Sequence, residues 1–131
     1  MCKISDQLIN ECWEKATIAE GYDPQKIRLD ACGAWIRRDK YNQQESIFGW
    51  DIDHIYPKKI LKLKGVPDEA IDNIENLRPL NWMNNLSKGE DYPYYLSAII
   101  ANGNKNKREV NSFEIDGVTQ SKLSELFSEY L

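Results

Sequence analysis

Trp50-Asp51-Ile52-Asp53-His54-Ile55-Tyr56-Pro57 is the stretch on which the reading of this chain turns. It holds the only histidine among 131 residues and sets it directly after a carboxylate. Apolar and polar residues alternate here, with Trp50 and Ile52 on one face and Asp51 and Asp53 on the other, which is the pattern of a strand with one buried side. Strict alternation sends Asp53 and His54 to opposite sides, so the two share a site only where the strand bends or stops. Pro57, which has no amide to donate, marks that stop. An isolated histidine is more often a satisfied or exposed residue than a catalytic one. The weight of the Asp-His pair therefore depends on what lies downstream.

Downstream stand Asn73-Ile-Glu-Asn76-Leu-Arg78-Pro-Leu80 and Asn81-Trp-Met-Asn84-Asn85-Leu-Ser-Lys88-Gly89. Leu77 to Leu80 form a second expected strand. Asn81 is placed to cap a helix that runs to about Lys88 and ends at Gly89. On that helix Asn85 and Lys88 share one face by their three-residue spacing, and Trp82 and Leu86 share another, the expected core side. Taken together, Asp53-His54-x-x-Pro57, Asn76-Leu-x-Pro-Leu and Asn85-x-x-Lys88-Gly89 resemble the HNH endonuclease family over about residues 49–91, a third of the chain. The resemblance implies an α+β domain built around a ββα-metal finger, with flanking helices and short hairpins elsewhere in residues 1–131.

The chemistry of these side chains points the same way. Hydrolysis of a phosphodiester needs a base for water, a cation to offset charge on the phosphate and leaving oxygen, and accurate positioning of both. A neutral imidazole suits the first task, which makes His54 the candidate general base. A carboxylate and a carboxamide are oxygen donors suited to a hard divalent ion, Mg²⁺ first and Mn²⁺ as its substitute, and this makes Asp53 and Asn85 the candidate metal pair. Asn84 is adjacent, but the spacing to Lys88-Gly89 selects Asn85. The resemblance implies that Asn76 belongs to the catalytic set by bracing the loop that carries His54, and its amide can donate and accept at once. It further implies 5′-phosphate and 3′-hydroxyl products. Many members of the family place a second histidine near the helix; none exists here, so the expected variety is Asp-His/Asn, or else an inactive one.

Charge is unevenly spread. The formal net charge is −4, yet residues 26–64 carry nine Lys or Arg against five acids, a local excess of four positive charges. The segment holding Asp53-His54 is thus the basic one, as a phosphate-facing surface requires. Arg37, Arg38, Lys58, Lys59 and Lys88 are the candidate nucleic-acid contacts, with ordinary surface solvation as the competing role for each. DNA is the expected partner ahead of RNA. A non-catalytic nucleic-acid-binding module on a degenerate HNH fold is the alternative, and a protein-binding surface built on the 14 aromatic residues is a third.

Elsewhere, residues 5–20 are expected to form an amphipathic helix capped by Ser5, and residues 26–36 two short strands around Asp30-Ala-Cys-Gly33. A helical turn is expected at 37–41. Lys58 to Asn73 is expected to be an irregular connection with one helical turn at 68–71, and Asn102-Gly103 a hairpin turn. Thr119 is the expected cap of a final helix whose inner face is Leu123, Leu126, Phe127 and Tyr130. Cys2, Cys12 and Cys32 form no C-x-x-C pair, which argues against a disulfide scaffold or a cysteine-held zinc. With no signal sequence and no long apolar run, a cytoplasmic protein is expected.

Overall fold

A computed structural model describes residues 4–131; Cys2 lies outside the described residues. The first helix, α1 (Asp6–Trp13), is capped by the Ser5 side chain, which accepts from the Leu8 amide at 3.2 Å, and it buries Ile9, Cys12 and Trp13. It is half the expected length. The amides of Lys15 and Ala16 bond only three residues back, to Cys12 and Trp13, which tightens and ends the helix. The β-branched pair that follows becomes β1 (Thr17–Ile18) and joins β2 (Ile27–Leu29) and β3 (Trp35–Arg37) in an antiparallel sheet. The turn between β2 and β3 is set by Asp30, whose carboxylate accepts from the amides of Cys32 and Ala34, while Gly33 takes a left-handed conformation with φ +83°. A 3-10 turn at Arg38–Lys40 follows.

Residues 41–49 then fold back so closely that a Cβ on Gly49 would lie 1.9 Å from the Gln43 carbonyl oxygen. The hairpin of the Asp-His stretch comes next. β4 (Trp50–His54) pairs antiparallel with β5 (Leu77–Asn81), with Trp50 opposite Asn81, Asp53 opposite Arg78 and His54 opposite Leu77. The connection between them is more ordered than the sequence suggests. Besides the expected turn, now α3 (Asp68–Ile71), it holds α2 (Lys58–Leu63), and Leu61, Val66 and Ile71 anchor both beneath the core. Removing the fully buried Leu61 side chain would cost about 2–5 kcal/mol.

β5 runs straight into α4 (Trp82–Lys88), capped by the Asn81 side chain, which accepts from the Met83 amide, and closed by Gly89 at φ +51°. The helix packs on both β4 and β5, but not on the face its apolar residues suggest. Leu86 is 66% exposed, whereas Asn84 and Lys88 are buried. Asn84 accepts from the amides of Ala98 and Ile99 and donates to Asp30, and Asp30 also accepts from the Asn81 amide. Buried polar side chains without partners are costly, so this network fixes the rotation of α4 more firmly than an apolar stripe would.

The remainder is a nested pair of two-stranded sheets. β6 (Tyr94–Leu96) pairs with β9 (Ser112–Glu114), and between them lies the hairpin of β7 (Ile99–Asn102) and β8 (Lys105–Arg108). The final helix, α5 (Gly117–Leu126), is capped by Asp116 and not Thr119; the Asp116 carboxylate accepts from both the amide and the hydroxyl of Thr119. Leu123 and Phe127 are buried from its inner side. The architecture is α+β. No helix among the described residues is long and apolar enough to cross a membrane.

Candidate functional site

His54 closes β4 and meets a carboxylate that the sequence does not advertise. Its Nε2 lies 2.7 Å from Oδ1 of Asp72, and the two side chains are 18% and 13% exposed. Asp72 is the residue directly after α3, so the ordered connection is what brings it to the imidazole. Asn76 secures both parts. Its carboxamide accepts from the Tyr56 amide at 2.8 Å and donates to the carbonyls of Tyr56 and Ile71 at 3.2 and 3.1 Å. One fully buried side chain therefore ties the backbone just after His54 to the backbone just before Asp72.

Asp53 has turned the other way, into the protein, and is 2% exposed. Its Oδ2 accepts from Arg78 Nε at 2.8 Å, across the hairpin, and its Oδ1 is 3.3 Å from Lys88 Nζ. Arg78 also stacks its guanidinium 5.0 Å from the Tyr95 ring centre. Burial works against the Arg78 charge, but Asp53 and Tyr95 beside it hold its pKa above the ordinary value. For Lys88 burial prevails over Asp53 and pulls the pKa down. Lys88 also donates to the carbonyls of His54 and Ile55, at 3.3 and 3.1 Å. This corrects the expectation of a phosphate contact at Lys88: the residue is 1% exposed, because its ammonium is drawn inward by Asp53 and two carbonyls.

Asp53, His54 and Asn85 nonetheless line one cavity of about 230 Å³, with Lys58 and Lys59 from α2 at its wall. Of the two adjacent asparagines, Asn84 is consumed by the buried network and Asn85 is the one at the cavity. Asp51, two residues before Asp53 and outside the cavity lining, has a carboxyl whose pKa burial raises above its ordinary value against the opposing pull of the Gln44 and Asn85 amides. Its Oδ1 is buried with no hydrogen-bond partner.

These donors fit a hard divalent cation in kind. The carboxylate of Asp53 and the carboxamide of Asn85, both at the cavity, are oxygen ligands of the type such an ion takes. Asp53 could serve as a ligand only by giving up Arg78 or Lys88. Among the described residues no group of three or more His, Cys, Asp or Glu is gathered as a ready cage.

The arginines are placed elsewhere. Arg37 is exposed and 3.6 Å from Asp39. Arg38 donates to the Asn10 side chain and lies 5.8 Å over the Trp50 ring. Both line a separate cleft with Lys26, away from His54. Of the expected phosphate contacts, Lys58 and Lys59 are the two that line the same cavity as His54. Asp72 and Arg78 were missed in the sequence. Arg78 could have been found by setting β4 against β5 in register, since it stands opposite Asp53; Asp72 carries no motif.

Comparison of the chain with family models, with curated proteins and with solved structures finds no match.

Proposed function

We propose that this chain is a metal-dependent endonuclease that hydrolyses DNA phosphodiester bonds on a ββα-metal finger formed by β4, β5 and α4. The observation that carries the reading is that positions 53, 54 and 85, separated in sequence, share the wall of one cavity with two lysines at its side. In this reading His54 accepts the proton of the attacking water, and Lys58 and Lys59 hold the phosphate backbone. Asp53 and Asn85 would hold a divalent cation, Mg²⁺ or Mn²⁺, which when bound supplies charge stabilisation for the phosphate and the leaving oxygen. Asn76 acts through the backbone it ties and touches no substrate.

The test is nicking of supercoiled plasmid with Mg²⁺ or Mn²⁺. His54→Ala is expected to lower the rate by about 10²–10⁴-fold, the usual contribution of a positioned base. Equal nicking by the variant and the wild type would remove His54 from the mechanism.

A second reading, a nucleic-acid-binding module without hydrolysis, is favoured by one observation: both Asp53 oxygens already face cations. The two separate on Asn85→Ala with and without EDTA. Under the nuclease reading the substitution and the chelator each abolish nicking; under the binding reading no nicking occurs and DNA retention is insensitive to both.

A further inference from the structure

We infer that Asp72 is a positioning residue for His54, fixing which ring nitrogen is left to act as the base. The inference rests on the nuclease reading for its catalytic meaning, but its geometry stands apart from it. The contact of 2.7 Å is at the short end of the range for charge-assisted hydrogen bonds, and both side chains are largely withdrawn from water, so the interaction is little screened. A carboxylate can only accept, so the hydrogen between them resides on Nε2. Nδ1 makes no hydrogen bond among the described residues, and in the neutral ring it carries the free lone pair. A carboxylate on one imidazole nitrogen leaving the other as base is the general way such groups are oriented.

The placement of Asp72 is built and not incidental. α3 ends at Ile71, whose carbonyl is held by the Asn76 amide, and the same amide holds Tyr56 two residues beyond His54. On the other side Lys88 holds the His54 carbonyl. The imidazole and the carboxylate thus have their backbones clamped to a common part, and the connection between β4 and β5 serves to deliver one to the other.

Because His54 is the only histidine, ¹⁵N-histidine labelling of untagged protein gives a single imidazole signal. Two-bond ¹⁵N–¹H correlation at a pH where the ring is neutral is expected to show the Nε2–H tautomer in the wild type. Asp72→Asn, which keeps the shape but can donate to Nε2, is expected to bring in the Nδ1–H form. It is also expected to lower kcat for plasmid nicking by about 10–100-fold with KM little changed, as for loss of an orienting partner. Asp72→Glu is expected to keep the Nε2–H form. An Nδ1–H ring in the wild type overturns the inference, even where no variant folds. So does a tautomer ratio that Asp72→Asn leaves unmoved. A wild type that nicks no DNA but shows the Nε2–H form, shifted by Asp72→Asn, would sink the nuclease reading while leaving the orienting role intact.

Discussion

Asp53 shows how much a single carboxylate can be asked to do. It neutralises two buried cations, and Asp53→Asn would leave Arg78 and Lys88 without a counter-charge. Breaking a buried pair from one side costs about 3–5 kcal/mol, and urea denaturation of Asp53→Asn is expected to show a loss of that order. A fall in nicking by this variant would therefore not identify a metal ligand by itself; Asn85→Ala, at a side chain outside the ion cluster, is the cleaner probe. At this scale the sequence is unevenly legible. His54 and Asp53 stand together in the text, and Asn76 is singled out by its neighbours Leu77 and Pro79. The partners that determine their behaviour, Asp72 and Arg78, belong to no recognisable spacing. Arg78 becomes the partner of Asp53 through strand register, and Asp72 becomes the partner of His54 through the fold of a connection whose length predicts nothing about its path.

Among the elements, α4 gives the sharpest departure from pattern. Periodicity points Trp82 and Leu86 inward, yet Leu86 is exposed and the inner residues are Asn84 and Lys88. The cause lies far upstream, in the β2–β3 turn. Asp30 accepts from Cys32, Ala34, Asn81 and Asn84 together, and an apolar-moment argument has no means of weighing such an anchor. Asp30→Ala would orphan four donors at about 1–3 kcal/mol each where water cannot reach them. The expected result is a fall in the urea midpoint of several kcal/mol equivalent with little change in slope, and a midpoint within error of the wild type would contradict the hub. The capped ends of α4 were plain in the sequence, since Asn81 and Gly89 act locally. The early end of α1 was not, because the strand that claims Thr17 and Ile18 lies ten residues on.

For the whole molecule, the excess of positive charge over residues 26–64 is visible in the sequence, but its division in space is not. Lys58 and Lys59 stand at the His54 cavity, while Arg37 and Arg38 line another cleft. If DNA crosses the cavity, each lysine contributes about one unit to the slope of log affinity against log salt. Replacing both Lys58 and Lys59 with Ala is expected to flatten that slope by about two, whereas replacing Arg37 changes it less; equal slopes for the double variant and the wild type would place the DNA elsewhere. The α+β class, expected from the resemblance over residues 49–91, is the class the whole structure shows, with helices and short antiparallel strands in one domain.

The interior polar framework has a bearing on how mutational surveys of this protein would look. Asp30, Asn76, Asn81, Asn84 and Lys88 are each 2% exposed or less, with their polar atoms turned to partners inside the protein. A saturation screen scored by survival of function would nonetheless flag all five as intolerant, beside His54. Only a parallel screen for folded abundance would separate the residues that hold the frame upright from those that perform the reaction.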